Sequence, residues 1–367
     1  MFHRINTIPI TNFDQRINKN RSQIIQPNTK PQSSSQFVFQ LQPQTPILPN
    51  CPHCHTKQYV IRNGLRRSKY KEVQRYKCRN CMQTFLTEPL RYSTYPPEII
   101  ISAISKYNLG ATITQTKKFI HRKFKTKVPK STIQSWLKRY ENICTFTTTL
   151  RKKFDLDPNT IIRSKRFYHQ QVYEFKYHTL KTNISGKTFP KLKSYLTSIY
   201  KVPYFIPESA FQQGPRCSKI RINLKPEKIS KHNNAPKMVQ LALTLSKTNH
   251  DRHTQVENSF LINDTATIAI EVPIFLKPND ITLKEQSIYG LNLKNPLSGH
   301  IDIIQVRFNN IHILDYKPDA KISDKAAAEQ VFLYALALSK RTKIPLNKFI
   351  CAYFDKNDYY EFSLRNL

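Results

Sequence analysis

Two groups of residues carry chemistry in this 367-residue sequence, four paired cysteines and an Asp-x-Lys near the C-terminus. Cys51-Pro-His-Cys54 and Cys78-Arg-Asn-Cys81 are two Cys-x2-Cys turns separated by 23 residues. Two residues between thiols let a tight turn aim both at one ion, and two such turns complete a closed tetrahedral Zn2+ site. Four thiolates leave no open position for a substrate, so this spacing predicts a structural zinc that stabilises a small ribbon. His53 and His55 are expected to face solvent beside it. The other cysteines, Cys144, Cys217 and Cys351, are scattered, which suits a reducing compartment rather than a disulfide framework.

The second group begins with Asp315 and Lys317 in IHILDYKP. Lying two apart at the end of an apolar strand, they project from one face of a sheet. Asp302, three residues after Gly299, lies on the preceding strand HIDIIQVRF, with Asn309-Asn310 as the hairpin turn between the two. Two carboxylates beside an amine suit a hard divalent cation, Mg2+ or Mn2+, with the lysine orienting water and stabilising a pentacovalent phosphate. Unpaired carboxylates inside a strand would otherwise cost on the order of several kcal/mol. Counting by fours, Leu241, Leu245, Asn249, His253 and Glu257 share one face of a long helical pattern running from Met238 to Phe260. His253 is therefore a candidate metal ligand, with His250 as second choice, and Glu271 in IAIEVP is a supporting acid. Gln330 and Tyr334, four apart on AAAEQVFLYALAL, meet the same cleft.

Five segments position these groups. Residues 1-47 are polar and Pro-rich without apolar period, and read as a disordered tail. Residues 48-90 form the ribbon. Residues 93-144 carry three helical patterns: one opened by Pro96-Pro97-Glu98 and ended by Gly110, a second through Ile113, Phe119, Ile120 and Phe124, and a third beginning at Ser131. A Ser131/Gln134 capping box and the stripe Ile133, Trp136 and Leu137 define the third. Its Thr132, Ser135, Lys138 and Arg139 point outward and, with Gln134, are the candidate DNA contacts of a helix-turn-helix. Residues 145-235 read as a basic helical connector, with helices around 163-180 and 188-200. It either tracks a nucleic-acid backbone through Arg163, Lys165, Arg166, Lys176 and Lys193, interleaved with Tyr168, Tyr173 and Tyr177, or is simply solvated. Residues 236-367 read as helix, three strands, helix and strand around one mixed sheet.

Charge follows the same division. The net of +35 is concentrated at +16 over 51-150 and +15 over 151-250, whereas 251-367 holds 14 basic and 14 acidic side chains. A basic arm joined to a neutral, carboxylate-rich unit fits phosphate gripping in one part and metal chemistry in the other. No run of 18 apolar residues or secretory signal occurs, so a cytoplasmic, nucleoid-associated prokaryotic protein with no membrane partner is expected.

Two resemblances sharpen these expectations. The run from CPHC through RYKCRNCMQTF, YPPEIIISAISKYNLG and PKSTIQSWLKRY resembles the zinc ribbon and helix-turn-helix of insertion-sequence transposases. From about 236 to 362, EVPIFL, GHID, LDYKPDA and Gln-x3-Tyr match in type and order the RecB-like branch of the PD-(D/E)XK nucleases, which includes the exonucleases of CRISPR adaptation. That resemblance implies an α/β restriction-endonuclease-like core in which His253, Asp302, Asp315 and the Tyr316 carbonyl bind Mg2+ or Mn2+. It further implies that Lys317 assists hydrolysis and that Gln330 and Tyr334 support the substrate strand. The four cysteines that bind an iron-sulfur cluster in some members are not matched by Cys217 and Cys351. Two rivals are a transposon-derived DNA-binding protein with an inert nuclease fold, and a transposase using Asp302, Asp315 and Glu329.

Overall fold

The computed structural model describes residues 48-68, 70-87, 93-212, 214-224, 226-230, 233-249, 251-320 and 324-365. The expected tail over 1-47 and the alternative ligand His250 lie outside these residues.

Strands β1 (Val60–Ser68), β2 (Lys71–Cys78) and β3 (Thr84–Leu86) pair antiparallel into a small sheet. Its core is slight, Val60 and Phe85 with Cys51 and Cys78. The backbone turns sharply after each Cys-x2-Cys, where His55 and Met82 take left-handed φ values of 61° and 58°. Tyr70 of this unit stacks on Tyr95 at 4.6 Å, and Tyr95 meets Trp136 edge-on at 5.2 Å.

Helices α1 (Pro97–Asn108), α2 (Ile113–Phe124) and α3 (Lys130–Arg139) follow. A proline at the first position of α1 costs no hydrogen bond, and Gly110, at φ 98°, supplies the turn beyond it. Thr112 and Gln115 cap α2 reciprocally. The capping box expected at Ser131 and Gln134 is not formed. Pro129 stands at the N-cap, so α3 starts one residue earlier and Ser131 falls inside its first turn. The buried stripe of Ile133, Trp136 and Leu137 is as read from the sequence.

An eight-stranded mixed sheet forms the rest: β4 (Ile162–His169), β5 (Gln171–His178), β6 (Ile229–Ser230), β7 (Thr267–Leu276), β8 (Leu297–Arg307), β9 (Asn310–Tyr316), β10 (Phe349–Phe354) and β11 (Tyr359–Ser363). Their order is β4-β5-β7-β8-β9-β10-β11-β6, and only the β9–β10 pair is parallel. The helix expected over 163-180 is therefore a hairpin, turned at Gln170 with φ 62°. Phe175 and Tyr177 repeat with period two and are buried, the mark of a strand with one covered face. The sheet thus recruits residues from 162 onward, and the segment expected to be a helical connector supplies part of the α/β unit. Within it, α4 (Thr179–Ser185), α5 (Pro190–Lys201) and the short α6 (Ser209–Gln212) are helical, α5 lying close to the 188-200 reading.

The long helix expected from Met238 to Phe260 is two, α7 (Ala235–Leu243) and α8 (Arg252–Asn263). Between them Asp251 accepts the amides of Lys247 and Thr248, each at 3.0 Å, a side-chain turn that competes with helix. The five-residue face from Leu241 to Glu257 does not exist as one face; His253 and Glu257 alone share α8. The β8–β9 turn is Phe308-Asn309, both at positive φ as a two-residue type I′ hairpin requires, one residue before the expected Asn309-Asn310. Helix α9 (Leu283–Tyr289) precedes β8, and α10 (Asp324–Thr342) is buried along most of its length.

One sheet face packs on α5 and α10, the other on α7 and α8. The second face continues into the three-helix unit, because Ile100, Ile104 and Trp136 share one core with Val256, Phe260, Ile303 and Leu314. Buried amides join them: Asn108 Nδ2 donates to Asn263 Oδ1 at 3.0 Å, and Asn263 donates to Ser105 at 2.9 Å. Among the described residues no helix is long and apolar enough to cross a membrane.

Candidate active site

Asp315 is fully buried at the end of β9. Its Oδ2 lies 2.7 Å from Lys317 Nζ, and its Oδ1 accepts Gln330 Nε2 at 3.1 Å. The same amide nitrogen donates to the Tyr334 hydroxyl at 2.7 Å, so α10 grips the carboxylate through a two-member chain. Tyr334 can lie against β8 because residue 299 is glycine: a Cβ there would sit 2.5 Å from the tyrosine ring.

Asp302 on β8 accepts the Tyr316 amide at 3.1 Å and lies 4.0 Å from His253 Nδ1. His253, Glu257 and Asp302 each offer a ligand atom, all within 4.8 Å of one another. The Tyr316 ring meets His253 edge-on at 4.9 Å. Tyr316 thus borders the site through its amide and its ring, and the ring also meets Phe354 at 6.0 Å.

Glu271 completes the cluster through an unusual backbone. At φ 48° it interrupts β7 between the Ile270–Ile303 and Val272–Ile301 pairs, opposite Asp302. A non-glycine residue at positive φ in mid-strand is strained, and such strain concentrates at functional sites.

Burial and mutual repulsion dominate the electrostatics. Burial, then the charge of Asp302, pushes Glu271 up to about 8 and Asp315 up to about 7. Burial and then Glu271 drive Glu257 well above the carboxylate range, and burial raises Asp302 too. Burial works against the Lys317 charge, yet Asp315 and Asp302 outweigh it and raise its pKa. Burial lowers His253, leaving its imidazole neutral and able to coordinate. Glu257 is buried and accepts no hydrogen bond among the described residues. Carboxylates crowded this way are costly unless a cation joins them.

The residues nominated from sequence, His253, Asp302, Asp315, Lys317, Gln330 and Tyr334, thus converge. Glu257, four residues after His253, joins them as a ligand the sequence does not nominate, and Glu271, expected only as a supporting acid, stands at positive φ opposite Asp302. The first had a signal in the spacing. The second had none, since nothing in IAIEVP marks a left-handed residue.

The four cysteines also converge. Cys51 and Cys81 sulfurs are 3.5 Å apart, as are those of Cys54 and Cys78, and all four lie within 4.8 Å of one another, a group that can hold a zinc ion. The Thr56 hydroxyl helps hold Cys54 down to about 5, favouring the ligating thiolate. His53 and His55 are exposed, as expected. On α3, Gln134, Ser135, Lys138 and Arg139 are exposed and Thr132 is half-buried.

Comparison with known protein families, with curated proteins and with solved structures finds no match for this chain.

Proposed function

We propose that this chain is a metal-dependent DNA nuclease with a PD-(D/E)XK-type site, of the RecB-like kind, held on DNA by a zinc ribbon and helix-turn-helix. The observation that carries the reading is the meeting of His253, Glu257 and Asp302 at ligand distance beside the Asp315–Lys317 pair. The donor set, one imidazole and carboxylates, suits Mn2+ or Mg2+. Once bound, the ion supplies Lewis-acid polarisation of a phosphoryl oxygen and of water. His253, Glu257 and Asp302 would hold it, with Asp315 and the Tyr316 carbonyl at its edge.

The chain's own groups do the rest. Lys317, charged and pinned by Asp315, orients the attacking water and stabilises the negative charge that builds on the phosphate. Gln330 and Tyr334 hold Asp315 in place. Water attacks phosphorus, the bond to the 3′ oxygen breaks, and the products carry a 5′-phosphate and a 3′-hydroxyl. The zinc is structural. The exposed face of α3 grips the duplex in a cytoplasmic, prokaryotic setting.

The transposase reading loses support from α10, where Gln330 faces Asp315 while Glu329 is buried elsewhere, 3.7 Å from Arg221. An inert, binding-only protein fits poorly with an intact strained acidic cluster. Asp315→Ala and Lys317→Ala should each abolish Mn2+-dependent cleavage while DNA binding stays near the wild-type level. Cleavage retained by either variant, or joined strand-transfer products, would refute the assignment.

A further inference from the structure

The basic, aromatic stretch around β4 and β5 divides sharply once folded. Tyr177 and Phe175 point into the core, Lys176 turns to Asn258 on α8, and Tyr173 stacks on His300 at 3.7 Å. Lys165 is committed to the C-terminal carbonyls of α5, donating to Ile199 O at 2.9 Å. What remains outward is different in kind. Tyr168 is 74% exposed and Tyr204 is 91% exposed, and neither ring contacts another aromatic group among the described residues.

These two rings border a groove of about 410 Å³ along β4, the open edge of the sheet. Arg166 and Lys201 line it, both exposed and without an ion-pair partner among the described residues, against one acid, Glu208. Tyr204 is held at φ 57°, a conformation rare for a bulky side chain. The groove also lies near the catalytic strand. His169, the last residue of β4, meets His300 at 3.0 Å, and His300 is two residues before Asp302.

From this arrangement we propose that the β4 edge groove is a binding track for single-stranded polynucleotide, with bases stacking on Tyr168 and Tyr204 and phosphates on Arg166 and Lys201. Free aromatic faces interleaved with unpaired cations are what such strands need, since every base has a π-face and every linkage a charge. A duplex offers these rings nothing, because its bases are already stacked on one another. The unpaired cations make the groove complementary to a polyanion. The inference deepens the nuclease reading by naming the form of strand delivered to the site, and it rests on that reading only for its purpose.

The test is binding without catalysis. Fluorescence anisotropy of the full chain, with no divalent ion added, is measured on a labelled thymidine homopolymer, its uridine counterpart and a duplex. Tyr168→Ala and Tyr204→Ala should each weaken single-strand binding by about tenfold, and Tyr168→Phe should restore it. The combined Arg166→Ala and Lys201→Ala change should flatten the dependence of log K on log salt by about 1.4. Both rings are exposed, so the melting temperature of each variant serves as a folding control. The deoxy and ribo arms say which strand is preferred. Unchanged affinity on removal of both rings, or an equal loss of duplex binding, would overturn the proposal. Because cleavage is not read, a failure here is distinct from a failure of the nuclease assignment.

Discussion

Glu257, Glu271, Asp302 and Asp315 all have pKa values raised in the folded protein, and this links stability to pH. The folded Glu271 and Asp315 lose their protons near 8 and 7, whereas unfolded carboxylates do so near about 4. Between those values the native state binds more protons than the unfolded one, so stability falls as pH rises. Burial holds His169, His178 and His300 below the ordinary imidazole range, which acts in the opposite sense over the same window, so the test is differential. From pH 6 to pH 8 the metal-free wild type should lose more melting temperature than Glu271→Gln, and Mn2+ should restore the difference at pH 8; equal changes in the two would contradict the buried cluster. Glu257→Gln removes a carboxyl that folding must either protonate or bury charged beside other acids. It should raise the metal-free melting temperature and weaken Mn2+ binding by at least about tenfold by calorimetry. The acids on β8 and β9 were legible because a polar residue interrupts an apolar run at an inward position. Glu257 was less so, because the face it was counted on joins two helices that Asp251 separates.

Among the elements, β8 depends on close approach. Gly299 leaves room for Tyr334, and a methyl group there would push the ring that holds Gln330 and, through it, Asp315. Gly299→Ala should cost about 1–3 kcal/mol of stability, as overpacking does, and lower kcat more than KM, read from urea melts and steady-state cleavage. The strands from 267 to 316 were readable as apolar runs bounded by turns. β4 and β5 were not, because basic and aromatic residues at mixed spacings match a helix about as well as a half-covered strand. The pairing that decides the matter, β5 against β7, joins residues roughly a hundred positions apart and leaves no local mark.

The whole molecule links what its charge pattern suggests are separate parts. The basic three-helix unit is built into the core of the sheet unit through Asn108 and Asn263, so the grip on DNA proposed for α3 would have a fixed geometric relation to Asp315. Replacing Lys138 and Arg139 with alanine should weaken duplex binding and reduce its salt dependence by about 2, leaving the melting temperature unchanged. The cysteine-bearing sheet is different, with its own small core and an aromatic contact to the helices. Cys78→Ser should abolish zinc uptake, measured as metal per chain, while the eight-stranded sheet keeps its circular dichroism. That contact has one more use. The chain's single tryptophan, Trp136, is 7% exposed and touches Tyr95, which Tyr70 covers from the ribbon side. Its emission is thus a built-in optical gauge of the seam: a chelator that melts the ribbon should uncover Tyr95 and shift the indole spectrum to the red before the rest of the protein responds.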